Sequence, residues 1–100
     1  MARPVPAVNR AVGVLDLLVT HPTERFTLSD LVRRTGISLG SAHAVLAVLE
    51  GAGYVSRHRD HKTYGLGPAL VAAGLASLAA QPAVQVAVEG LDRLASDIDA

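Results

Sequence analysis

The stretch Thr27-Leu28-Ser29-Asp30-Leu31-Val32-Arg33-Arg34-Thr35-Gly36-Ile37-Ser38-Leu39-Gly40-Ser41-Ala42-His43-Ala44-Val45-Leu46-Ala47-Val48-Leu49-Glu50 decides the fold. Thr27 offers a hydroxyl to cap a helix and Asp30 an acid three residues on, close to a capping box. Gly36 ends that helix after about two turns, with Leu31 and Val32 expected inside. Ser38 caps the next helix, Leu39 to Glu50, on which Ala42, Val45, Leu46 and Leu49 form one apolar stripe. Gly51 and Gly53 close it. A short helix, a tight glycine turn and a second helix packed across the first describe a helix-turn-helix, whose later helix can enter the major groove of DNA. Glycine turns between two helices are also common in all-α cores, so the flanking sequence has to discriminate.

Upstream, Val8, Val12, Leu15, Leu18 and Val19 recur at helical spacing until Pro22 stops the run, which predicts a first helix. Downstream, Tyr54-Val55-Ser56-Arg57-His58 and Thr63-Tyr64-Gly65-Leu66 flank the polar tip Arg59-Asp60-His61-Lys62, the pattern of a β-hairpin. In this position a hairpin is a wing. Gly67-Pro68 then opens a helix to about Ala80, and Gln81-Pro82 another to about Asp99. The predicted fold is mainly α, a winged helix-turn-helix of three helices plus a β-hairpin wing, with a C-terminal helical extension. Residues 1–67 form the DNA-binding domain, 68–81 a linker and dimerisation helix, and 82–100 a further helix.

One hundred residues, half of them hydrophobic and 18% charged, suit one compact domain and argue against intrinsic disorder. Phe26, Tyr54 and Tyr64 are the only aromatics, which argues against readers of single strands that stack bases on aromatic platforms. The lack of cysteine excludes disulfide frameworks and thiolate metal sites and permits a reducing compartment. Residues 1–9 carry two prolines and no long apolar run, so no signal peptide is expected, and the expectation is a soluble cytoplasmic protein. The formal net charge of zero hides a division. Residues 1–67 hold eight Arg and Lys against five acids, a net of +3, and the remainder holds Arg93 against four acids, a net of −3.

Val8-Asn9-Arg10-Ala11-Val12 through Leu18, Thr27-Leu28-Ser29-Asp30-Leu31, Thr35-Gly36-Ile37-Ser38, His43, Leu46, Leu49-Glu50, Gly53-Tyr54-Val55 and Tyr64-Gly65-Leu66-Gly67 agree in order and spacing with one family. Over about residues 5–80 the chain resembles the N-terminal winged helix-turn-helix domain of IclR-type bacterial transcriptional regulators. The resemblance implies a dimeric repressor or activator whose C-terminal domain binds a small effector. That domain is not contained in these residues, and Val84 to Asp99 is similar to the helix with which it starts. A small-molecule effector is therefore expected only if the chain is a fragment of a longer regulator.

The departures from the family fall on the third helix. Ser38 and Leu39 stand where Pro and a basic or polar residue often open it, and Ala44 stands where an Arg frequently follows the His. With the apolar stripe inward, Gly40, Ala44 and Ala47 point outward, flanked by Ser41 and His43. That face has no Arg to fork onto guanine. Small residues let the helix approach thymine methyls, with Ser38, Gly40, Ser41, His43 and Ala44 as the base-reading set. Phosphate contacts are expected from the wing cations Arg57, Arg59 and Lys62, with Arg10, Thr27, Arg33 and Arg34.

Other readings are open. Helix three could instead dock another protein, making the chain an interaction module, or the domain could belong to another winged-helix family. His58 and His61 on the hairpin tip lack a third protein ligand for a transition metal, and no metal or cofactor is expected; their protonation would add charge to the wing. No phosphate-cradling glycine loop, metalloprotease pattern or nucleophile elbow occurs, so an enzyme is not expected. The uncharged run from Leu66 to Val88 is broken by Gln81-Pro82 and rich in alanine, which argues against a membrane span. Leu70, Val71, Leu75 and Leu78 are expected to bury apolar surface in a homodimer; the other reading has them cap the domain's own core.

Overall fold

The computed structural model describes residues 5–81. The predicted helix from Gln81-Pro82 to Asp99 lies outside the described residues. Contacts divide the chain into two units, Met1–Leu70 and Val71–Ala100, the division falling within the last described helix.

The order is α1 (Pro6–Thr20), β1 (Phe26–Thr27), α2 (Leu28–Thr35), α3 (Leu39–Gly51), β2 (Val55–His58), β3 (Thr63–Leu66) and α4 (Ala69–Ala80). Pro6 opens α1, where its missing N–H leaves no bond unmade. Thr27 caps α2: its hydroxyl accepts from the Asp30 backbone N–H at 3.1 Å, and the Asp30 carboxylate accepts from the Thr27 N–H at 3.1 Å. The capping box predicted from Thr-Leu-Ser-Asp is therefore present in both directions. Gly36 ends α2 at φ 74°, left-handed backbone that glycine adopts without a Cβ penalty. The chain reverses there, and Ser38 caps α3 by accepting from the Ser41 N–H at 3.2 Å.

Three antiparallel strands follow in the order β1-β3-β2. The hairpin was expected with two strands. Phe26 and Thr27 add a third by pairing with Tyr64 and Thr63. A two-residue strand has no periodicity to read, and Thr27 also serves as helix cap, so its edge pairing was masked. The hairpin pairs Val55 with Leu66, Ser56 with Gly65, Arg57 with Tyr64 and His58 with Thr63.

Val14, Leu18, Phe26, Leu31, Leu46, Leu49, Val55 and Tyr64 make the core, drawn from all three helices of the domain and all three strands. The α3 stripe is as expected, with Ala42, Leu46 and Leu49 buried and Val45 half-buried. The periodic residues of α1 divide between core and surface. Val14 and Leu18 are the buried residues, whereas Val8, Val12 and Val19 are half or more exposed, at 56%, 50% and 58%. Apolar residues of α1 cover two adjacent arcs, 8-12-15-19 and 14-17-18, and the periodic set spans both, since it includes Leu18. Packing of α1 on α3 buries the arc of Val14 and Leu18.

Asp30 is held below the ordinary carboxylate range, first by the backbone N–H of Thr27, then by the Thr27 hydroxyl and the Arg33 guanidinium, against slight desolvation. Its contribution to stability is therefore complete above the unfolded carboxylate pKa and is lost as pH falls through the lowered folded value. Acid unfolding of Asp30→Asn should show a shallower loss of stability below about pH 4 than the native chain, read from urea midpoints across a pH series. Thr27→Ala should cost about 1 kcal/mol at neutral pH. Gly36→Ala should cost about 1–2 kcal/mol through its left-handed backbone, measured in the same unfolding assay.

Candidate nucleic-acid interface

The burial of Ala42, Leu46 and Leu49 fixes the rotation of α3, so Gly40, Ala44 and Ala47 are exposed on the opposite side. The two flanks of this ridge differ. On one, His43, Ala47 and Glu50 share a depression with Leu28 of α2 and with Arg57, Lys62 and Tyr64 of the wing. On the other, Ala44, Val45, Val48 and Leu49 line an apolar groove with Ala7, Val8, Ala11, Val12 and Leu15 of α1. Ser41, half-buried, falls on the α1 side by helical phase, so His43 and Ser41 stand on opposite flanks. Ala44 faces both the open ridge and the apolar groove. Leu39 and Val48 add exposed apolar surface to a helix whose only charge is Glu50, at its C-terminal end.

Ser38 is exposed, and its hydroxyl oxygen is engaged by the helix it caps, leaving the O–H as a donor. Thr27 is half-buried, and its hydroxyl oxygen receives the Asp30 N–H.

The wing cations are all exposed. Arg57 lies with its guanidinium carbon 5.9 Å from the Tyr64 ring centroid, a cation–π contact that orients it beside α3. Lys62 has φ 53° at the end of the four-residue tip, and its N–H donates to the His58 carbonyl at 2.8 Å. His58 and His61 stack with centroids 4.6 Å apart, and the Nδ1 of His58 accepts from the His61 backbone N–H at 3.3 Å.

The helix cations form a separate group. Arg10 and Arg34 border one depression with Asn9, Gly13, Leu17, Thr35 and Ile37, between α1 and α2. Arg34 stacks its guanidinium 5.4 Å from the Phe26 ring centroid. Arg33 is paired with Asp30 at 2.8 Å, so its charge is partly offset. Thus His43, Arg57 and Lys62 are brought together, Arg10 and Arg34 are brought together elsewhere, and Arg59 stands on the tip. On α4, Val71 and Leu75 are 65% and 63% exposed and Leu70 and Leu78 half-buried. Among the described residues, no helix is long and apolar enough to cross a membrane.

Two features escaped the sequence reading. Arg25 bonds to both strands of the wing, and no motif marks a residue that acts across 31 to 38 positions. The apolar groove takes its α1 wall from an arc whose exposure periodicity along the chain does not decide.

A short helix, a glycine turn, a second helix exposed along one side and a basic β-hairpin wing beside it define a winged helix-turn-helix domain of the DNA-binding kind. Residues 7–59 match the IclR helix-turn-helix domain, and the chain belongs to the IclR family, whose members are transcriptional regulators and not enzymes. It is 35% identical over 74 residues to the glycerol operon regulatory protein of Streptomyces griseus, covering 74% of this chain and 29% of that protein. It is 31% identical over 70 residues to the HTH-type transcriptional regulator XynR of Escherichia coli K12, covering 70% and 27%. The chain thus spans under a third of these relatives. Among solved structures, the IclR transcriptional regulator of Alicyclobacillus acidocaldarius superposes with a TM-score of 0.82 at 30% identity, over 93% of this chain and 37% of that one. The Agobacterium tumefaciens repressor BlcR does so with a TM-score of 0.68 at 29% identity, over 89% and 35%.

Glu50 is the one acid bordering the depression that holds Arg57 and Lys62. Glu50→Gln should tighten binding to duplex DNA severalfold at low salt, with the gain shrinking as salt screens it, as measured by fluorescence anisotropy.

Proposed function

We propose that residues 1–67 bind double-stranded DNA in a sequence-specific way, with α3 in the major groove and the wing on the backbone. The observation that carries this reading is the pairing of an exposed, uncharged α3 ridge with Arg57 and Lys62 on its flank. Phosphate attraction supplies sequence-independent affinity, and base contacts supply discrimination. Ser38, Gly40, Ser41, His43 and Ala44 are the base readers, His43 by hydrogen bonding and the small residues by close approach and contact with thymine methyls. Arg57, Arg59 and Lys62, with Arg10, Thr27, Arg33 and Arg34, are the phosphate contacts.

Residues 68–81 act as the linker and dimerisation helix in this reading, and 82–100 open an effector domain of a longer regulator. Val71 and Leu75, exposed on a helix without charge, support a homodimer in which Leu70 and Leu78 also take part. Two-fold related α3 helices would read paired half-sites. The Streptomyces griseus relative is named for a glycerol operon and the Agobacterium relative is named a repressor; repression of an operon in the cytoplasm is the role we assign, with a small-molecule effector bound outside these residues.

Exposed Leu39 and Val48 on α3 favour a second reading, a winged domain that docks protein through this helix. A salt series on random duplex separates the two. A DNA binder should weaken steeply with salt, each phosphate contact adding about 0.9 to the log–log slope; a flat response together with no enrichment from random-sequence DNA selects the docking reading. Arg57→Ala and Arg59→Ala should each weaken binding to every sequence and lower the slope, whereas His43→Ala and Ser41→Ala should change the sequence preference. Equal loss on specific and random duplex would remove His43 from the base readers. Sedimentation should report a dimer at micromolar concentration, and Leu75→Asp a monomer.

A further inference from the structure

The wing has two faces. Val55 with Leu66 and Arg57 with Tyr64 share the one turned towards α3, and Ser56 with Gly65 and His58 with Thr63 share the other. Arg25, the residue before β1, belongs to that second face. Its Nε donates to the Thr63 Oγ1 at 3.1 Å, and its Nη1 to the Ser56 Oγ at 3.3 Å. Its Nη2 donates to the Ser56 carbonyl at 3.2 Å and to the Thr63 carbonyl at 2.9 Å. The side chain thus starts at β1, passes over β3 and ends on β2.

Gly65 makes that path possible. A Cβ there would come 2.8 Å from Nη1 and 3.4 Å from Cζ of Arg25, so any side chain would displace the guanidinium. Ser56 is locked in turn, its hydroxyl donating to the Leu66 carbonyl at 3.2 Å. The geometry also demands arginine. Four of its five N–H groups meet acceptors spread over two strands, whereas lysine has a single nitrogen and no fixed fork.

A hairpin of four-residue strands is marginal in water by itself, and β1 contributes only two residue pairs. Burial of Val55 and Tyr64 anchors the base of the wing, and beyond it Arg25 adds side-chain bonds that tie β2 to β3 near the exposed cations. We propose that Arg25 is the positioning residue of the wing: it holds β2 and β3 so that Arg57, Arg59 and Lys62 face the phosphates together, and it does not itself contact DNA. The inference rests on the DNA-binding reading above.

The test is a salt series of duplex binding by the native chain and by Arg25→Ala, Arg25→Lys and Gly65→Ala, at a temperature where each is folded by circular dichroism. Loss of the brace should release several phosphate contacts at once, so Arg25→Ala should lower the log–log slope by about two, where a single lost contact lowers it by about 0.9. Arg25→Lys should not restore it. Gly65→Ala, which leaves every charge in place, should give the same fall, and Arg57→Ala should have little further effect in the Arg25→Ala background. A fall of about one that lysine restores would make Arg25 a direct phosphate ligand and overturn the proposal. An unchanged slope in folded variants would also overturn it.

Amide hydrogen exchange of the free protein supplies a readout independent of DNA. Residues 56–64 should exchange faster in Arg25→Ala and Gly65→Ala, with the amides of α1 to α3 unchanged. If the native chain shows no salt-dependent duplex binding, the DNA reading fails by itself, and unchanged protection of the hairpin then rejects the brace.

Discussion

The rest of the winged domain depends on the burial of one arc of α3. Leu46 and Leu49 meet Val14 and Leu18 from α1, Leu31 from α2, and Phe26, Val55 and Tyr64 from the sheet. Each fully buried aliphatic side chain stabilises by roughly 1.5–3 kcal/mol, against a net stability for such domains of about 5–15 kcal/mol. So α3 has one rotational setting, and that setting exposes Gly40, Ala44 and Ala47 as a consequence. The surface offered to a ligand follows from the packing of the opposite side.

Local hydrogen bonds set the angles around this helix. The Thr27–Asp30 box starts α2, left-handed Gly36 ends it, and Ser38 starts α3 within three residues. After α3 the chain is stitched to the base of the wing: the Gly67 N–H donates to the Tyr54 carbonyl and the Ala69 N–H to the Gly53 carbonyl, both at 2.9 Å. These bonds place β2 and β3 beside the His43–Glu50 flank of α3. A chain with zero net charge thereby gathers Arg57 and Lys62 at one edge, with Glu50 as the opposing charge. Charge balance over the whole sequence is a poor guide to such an edge, because the potential near it is dominated by groups within about a Debye length.

The elements that could be read in advance were those whose signal is local. Thr27, Asp30, Gly36 and Ser38 act within three or four positions of their partners, and Ala42, Leu46 and Leu49 recur at the period of a buried helix face. The β-branched and aromatic runs on either side of the polar tip Arg59–Lys62 revealed the hairpin for the same reason. On α1 the periodicity was ambiguous, since Val8, Val12 and Val19 lie on an arc next to that of Val14 and Leu18, and only contact with α3 decides between them. The candidate interface divides similarly: the identity of the wing cations was legible, but not that Arg57 and Lys62 join His43 while Arg10 and Arg34 face a different depression.

The sequence by itself determined the helix-turn-helix, the wing and the absence of an arginine fork on α3, because caps, glycine turns and apolar periods are properties of neighbouring residues. Tertiary structure alone decided the third strand at Phe26–Thr27, the apolar groove shared by α1 and α3, and the bracing of β2 and β3 by Arg25. These join residues far apart in the chain. Their energies come from contacts that exist only once the helices have packed, and no spacing rule along the sequence encodes them.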